Sequence, residues 1–321
     1  MSNVLQVIVR RWESFWFPEA SPLRLAICRL IMVGSQLVLF REPLGEHLML
    51  TTGNEGFHQP QAMIRALGAV FSEAAIRAPQ TLTTVYWVTI VAGVTTFLGL
   101  FTRLSAFVFA VGNWFLVAHR YSYGEKHHPE AIFCIFLLLL AFSPSGRCLS
   151  LDSWLRRSRV DAGGRPLWGV NARLTTAIWP LLIVQVLLAL AYFCAGVCKL
   201  YESGPAWMNG YTLQQHIFID AVRWDCPAGI WLAQQHELCI VLSVFAIAFE
   251  LLFFLAVIFR RLVPIFLIGG VGLHLGIYMT QAAPFFQLIL LYAVFIDFDR
   301  IRAALLRKRE ISNGAPLPEY H

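Results

Sequence analysis

Long apolar blocks dominate this chain, and short polar joints separate them. The runs Leu23–Phe40, Thr81–Leu100, Leu104–Ala118, Ala131–Phe142, Thr175–Leu200, Leu238–Phe259, Leu262–Met279 and Phe285–Ile296 carry few charges, whereas the joints hold most of the arginine and proline. Such runs predict transmembrane helices. The expected fold is therefore all-α: a polytopic transmembrane helix bundle of about eight spans. Only Phe101, Thr102 and Arg103 lie between the second and third runs, and so short a joint predicts an antiparallel helical hairpin. Residues 1–22 read as an interfacial helix, because the segment mixes Val4, Leu5, Val7 and Ile8 with Arg10, Arg11, Trp12 and Trp16. Residues 23–298 form the transmembrane domain, and residues 299–321 a basic tail. Between the first two spans, Arg41–Gln80 is a polar connection in which Ile64–Ile76 predicts a short helix lying on the membrane.

Charge orients the bundle. Arg147, Arg156, Arg157, Arg159, Arg165 and Arg173 cluster in one connection, and Arg300, Arg302, Arg307, Lys308 and Arg309 in the tail. The positive-inside bias places both clusters, and with eight spans both termini, in the cytoplasm of an inner-membrane protein. Tyr201–Glu237, with few basic residues, is then an outside loop. Composition agrees: 58% of residues are hydrophobic and mean hydropathy is +0.63, too apolar for an ordinary soluble domain. The net charge of +6 lies in the joints, so no nucleic-acid partner is expected; membrane lipid is. Seven cysteines are scattered without a CxxC, and Cys226 and Cys239 fall near the oxidising face, where a disulfide could form.

Candidate chemistry gathers where apolar runs end. In Tyr192–Tyr211, Tyr192, Gly196 and Lys199 stand at i, i+4 and i+7 and share one helix face. An amine at the hydrocarbon edge either snorkels to the headgroups or, partly desolvated, serves as a base near neutral pH. His127 and His128 precede Pro129 at the expected start of a helix, a place for oxyanion or proton chemistry, or else a hydrated loop. Glu125, Glu130 and His119 are near in sequence but show no metal-ligand spacing, so no metal is expected. Arg29 interrupts the first span, and Glu250 the sixth. Glu250 reads as nearer the cytoplasmic end, either pairing with an intramembrane arginine such as Arg29 or accepting helix hydrogen bonds. His274 lies between Gly272 and Gly276, a small-xxx-small pair suited to close helix approach.

The run YFCAGVCKL from Tyr192, followed by Trp207, Gly210 and Tyr211, resembles the lysine motif of the vitamin K-dependent gamma-carboxylases and of the bacterial proteins that share their HTTM membrane domain. AICRLIMVG (Ala26–Gly34), GLFTRLSAF (Gly99–Phe107), His127–Asp152 and His274 resemble further family stretches in the same order. The resemblance implies a lysine base, Lys199, that acts on a reduced naphthoquinone of the vitamin K type or menaquinol. It implies O2 and CO2 as co-reactants and a secreted peptide or protein as the class of substrate, where the carboxylases take the proton from a glutamate. It implies catalytic roles for His127, His128 and His274, and quinone or anion binding by Arg29, Tyr192, Gly196 and Trp207. Departures from the family are Cys198 in place of a second lysine, two extra residues before Trp207, Ala282–Phe285 in place of a glycine turn, and no counterpart of the large lumenal domain. Two other functions compete: a quinone-linked redox subunit like the DoxX and DoxD proteins, and a maturation factor without chemistry of its own. A transporter is disfavoured, since neither paired broken helices nor an inverted repeat is visible.

Overall fold

The structure is a computed structural model and describes residues 3–52, 55–124 and 128–312. Among them the fold is all-helical, apart from two isolated β-bridges. The chain divides into two compact units, residues 1–182 with 296–321, and residues 183–295.

The first unit holds α1 (Asn3–Trp16), α2 (Leu23–Val38), α3 (Leu44–Thr51), α4 (Ala62–Phe71), α5 (Glu73–Arg77), α6 (Pro79–Leu98), α7 (Thr102–Tyr121), α8 (His128–Phe142) and α9 (Leu151–Leu155). The long helix α10 (Trp179–Ser203) begins in this unit and continues into the second. α6, α7 and α8 pack in succession, and α2 lies against α6 and α8. The expected hairpin is present, with its turn at Gly99–Phe101. Gly99 has φ +70°, and a Cβ there would stand 2.2 Å from Ser150 Cβ and 2.6 Å from Arg29 Nη1, so only glycine fits. Asp152 closes the turn from outside, accepting hydrogen bonds from the backbone N–H of Phe101 (3.2 Å) and Thr102 (2.8 Å) and from the Thr102 hydroxyl (2.7 Å). These are donors that the start of α7 would otherwise leave open.

The 41–80 connection differs from expectation. Ser72, at φ 66°, ends α4, and its hydroxyl accepts from Ala75 N–H to start α5, so two helices replace one. They do not form a free surface helix. Ile64 and Ile76 are buried against Leu82, Tyr86, Phe115 and Leu116 of α6 and α7.

The second unit holds the rest of α10, a 3-10 turn (Gly204–Asn209), α11 (Tyr211–Arg223), α12 (Pro227–Ala233), α13 (His236–Leu252), α14 (Leu255–Ile258), α15 (Val263–Gln281) and α16 (Phe286–Leu291). A final helix, α17 (Phe298–Ser312), belongs to the first unit and packs on α2. The stretch predicted as an outside loop, Tyr201–Glu237, is instead helical and packs on α13 and α15 around Ile217, Leu232, Ala233 and Cys239. Its apolar residues recur too sparsely to read as a span, yet they suffice to cover neighbouring helices. Among the described residues, three helical stretches, 79–98, 179–209 and 260–281, are long and apolar enough to cross a membrane. The pair α12 and α13, bent by 100°, makes a fourth if it counts as one span. The protein is a helical membrane protein.

Candidate functional site

Lys199 lies near the end of α10, on the face shared with Tyr192 and Gly196. Gly196 brings α13 close: a Cβ at that position would meet Leu251 side-chain atoms at 3.0 Å and Glu250 Cβ at 3.2 Å. That approach lets the Lys199 amine donate to both carboxylate oxygens of Glu250, each at 2.6 Å. The Lys199 side chain is 26% exposed and that of Glu250 11%, so the amine turns inward rather than snorkelling. Trp207, on the 3-10 turn after α10, presents its ring 5.5 Å from Nζ, a cation–π distance.

This pairing overturns the sequence expectation for Glu250. It lies fourteen positions beyond His236, the start of α13, which is about 21 Å of helix. Lys199 therefore meets α13 well along its length, and the two charges that looked distant in sequence form one pair. Arg29, the partner expected for Glu250, belongs to the other unit. Its guanidinium is fully buried and donates to the carbonyls of Ser145 (3.1 Å) and Leu149.

Two turns back along α10, Tyr192 is 7% exposed and makes a second polar centre. Its hydroxyl meets His274 Nε2 at 2.6 Å and the Tyr292 hydroxyl. One phenolic proton can serve only one of these partners, so the three groups form a chain whose direction follows the imidazole tautomer. Gly270 makes room for it, since a Cβ there would lie 2.2 Å from Tyr292 Oη. By contrast, Gly272 and Gly276 have no neighbour within 4 Å of an added Cβ. The close approach expected of that pair falls to Gly270 instead, because His274 and Gly270 stand one turn apart on the inward face of α15. Aromatic rings wall the centre: Phe253 at 4.5 Å and Phe249 at 5.3 Å from the Tyr192 ring, and Phe285 at 5.2 Å from His274.

Lys199, Tyr192, Gly196, Trp207 and His274 thus share one unit. His127 lies outside the described residues, as does the side chain of His128. Glu130 accepts from Arg120 and the Tyr121 hydroxyl, and His119 is buried with its ring 5.7 Å from His47. Among the described residues no three His, Cys, Asp or Glu side chains converge as metal ligands. Cys226 and Cys239 are free thiols, directed to the carbonyls of Trp224 and Leu232. Sequence reasoning missed Tyr292 and the Phe249–Phe253 wall, which carry no mark beyond apolar character. The depth of Glu250 in an apolar run was a signal, although it pointed to the wrong partner.

The fold and this centre define a helical membrane protein whose interior holds a lysine–carboxylate pair and a tyrosine–histidine chain between aromatic walls. The HTTM domain pattern matches residues 22–299, and the chain belongs to the HTTM domain family. No curated protein and no solved structure matches it.

Proposed function

We propose that this protein is an inner-membrane enzyme related to the vitamin K-dependent gamma-carboxylases, eight-spanning with both termini cytoplasmic, that uses a reduced naphthoquinone to drive proton removal from a carbon acid. The observation that carries the reading is the Lys199–Glu250 pair, two helical turns from the Tyr192–His274 chain on α10. Within the pair, a proton can pass from Nζ to the carboxylate. Ammonium and carboxylate become amine and carboxylic acid with no change in net charge, which a low-dielectric interior tolerates far better than an isolated charge. The neutral amine is then a base toward a hydroxyl proton, and the ammonium it becomes stays beside the new oxyanion.

Tyr192 and His274 hold or pass a second proton through a hydrogen-bonded phenol and imidazole. The donor set suits a quinol, with polar groups facing aromatic walls. Trp207, Tyr192 and Gly196 would hold the ring, and Arg29, in the first unit, would bind an anion or serve the fold. When bound, a reduced naphthoquinone, vitamin K-type or menaquinol, supplies with O2 the driving force for deprotonation, and CO2 then adds to the carbanion. A secreted peptide or protein is the substrate class, and carboxylation or a related modification the outcome.

The bidentate closure of the pair also favours a second reading, a structural ion pair in a maturation factor. Oxygen uptake by the protein in nanodiscs given reduced naphthoquinone separates the two. Catalysis predicts uptake by the wild type and none by Lys199→Met/Glu250→Gln, which removes both charges together, with helix content unchanged. No uptake by the wild type, or equal uptake by the double variant, leaves the structural reading standing.

A further inference from the structure

At the tip of the α6–α7 hairpin, in the first unit, a cavity of about 320 Å³ is lined by Arg103, Arg147, Arg156, Asp152 and Trp168. Asp152 accepts hydrogen bonds at the start of α7, and three arginines against this one carboxylate leave the lining positively charged. Two guanidinium groups lie on the Trp168 ring, Arg147 at 4.3 Å and Arg156 at 5.0 Å. Burial, and the nearby charges of Arg103 and Arg156, push the Arg147 pKa below its ordinary value. Three like charges held around one hollow call for an anion.

A second cavity, about 470 Å³ and apolar, runs beside the first and shares Phe101 and Leu104 with it. It extends along α6 through Thr95 and Val91 to Trp87, and Leu104 and Val91 are 68% and 62% exposed on its walls. Trp87 to Thr95 is about 12 Å of helix, close to the roughly 15 Å depth of one hydrocarbon leaflet. A charged pocket at the end of a membrane helix, opening into a groove that follows the helix into the apolar layer, matches a phosphodiester headgroup joined to an acyl chain.

We propose that this double cavity binds one anionic glycerophospholipid from the arginine-rich side of the membrane, with its phosphate among Arg103, Arg147 and Arg156 and an acyl chain along α6 and α7. Arg147 also donates to the Leu167 carbonyl at 3.1 Å, which holds its guanidinium in place. Arg103 and Arg156 are exposed and supply the discriminating charge.

Native mass spectrometry of the full chain titrated with dioleoylphosphatidylglycerol tests this. The wild type should retain one lipid at least tenfold more tightly than Arg103→Gln/Arg156→Gln, and dioleoylphosphatidylcholine should bind both equally weakly. A control that removes two charges from the tail helix, Arg300→Gln/Arg307→Gln, should keep full retention. Leu104→Trp, which fills the groove and leaves the charges, should lose retention too, and it tests the proposal if the arginine variant fails to fold. Millimolar glycerol phosphate should not displace the lipid. Unchanged retention in Arg103→Gln/Arg156→Gln, equal retention of phosphatidylcholine, or loss in the tail control would each overturn the site. Displacement by glycerol phosphate would replace the lipid with a soluble phosphate ligand.

Discussion

Replacing Lys199 alone strips Glu250 of its partner, so a single substitution there confuses chemistry with folding. Lys199→Met should destabilise the protein by about 3 kcal/mol, because a largely buried carboxylate is left without its donor. Lys199→Met/Glu250→Gln should recover most of that loss in a denaturant titration. Equal losses in the single and double variants would show that the pair contributes by packing alone. Tyr192→Phe removes one hydroxyl from a buried chain and should cost about 1–3 kcal/mol, since His274 and Tyr292 both lose a partner. If the chain carries a proton, this variant should also slow quinol-dependent O2 uptake more than it raises the apparent KM for quinol. Lys199 was legible in the sequence because a cation closing an apolar run needs a reason. Its partner was not, because Glu250 is 51 residues away and sequence spacing says nothing about which helices touch.

Helices that approach closely owe it to single glycines, and the sequence showed where glycines were but not which ones mattered. Gly99 and Gly204 both have positive φ, +70° and +57°, yet only Gly99 is crowded, by Ser150 and Arg29. Gly99→Ala should therefore cost about 3 kcal/mol from backbone strain and overlap together, and Gly204→Ala about 1 kcal/mol from strain alone. Thermal unfolding of the two variants in the same detergent checks the difference. The α6–α7 hairpin was legible because a three-residue joint between two apolar runs leaves no other geometry. The roles of α11 and α12 were not. Their apolar residues are too few for a span, and only the faces of α13 and α15 beside them show what they cover.

Across the whole molecule, stability should depend on pH through a histidine outside the spans. His47 on α3 is 2% exposed, and burial, with Arg120 nearby, pushes its pKa down to about 4, while Glu46 opposes the shift. Its unfolded value is 6.5. The folded state thus binds the proton less readily than the unfolded chain, so this contribution is fully present above about pH 6.5 and is lost as pH falls toward 4. The melting temperature in nanodiscs should drop between pH 7.5 and 5, and the drop should be smaller in His47→Gln. An identical pH profile in that variant would assign the effect elsewhere. The sequence by itself determined the membrane setting, the helical class, the family and most of the polar residues now found in the second unit, because apolar run length and motif spacing are local properties of the chain. Tertiary structure alone decided that Lys199 pairs with Glu250, that Tyr192 joins His274 to Tyr292, and that Arg29 is held by backbone carbonyls. A buried charge or hydroxyl takes whichever partner packing brings within hydrogen-bonding distance, and packing is settled between helices far apart in sequence.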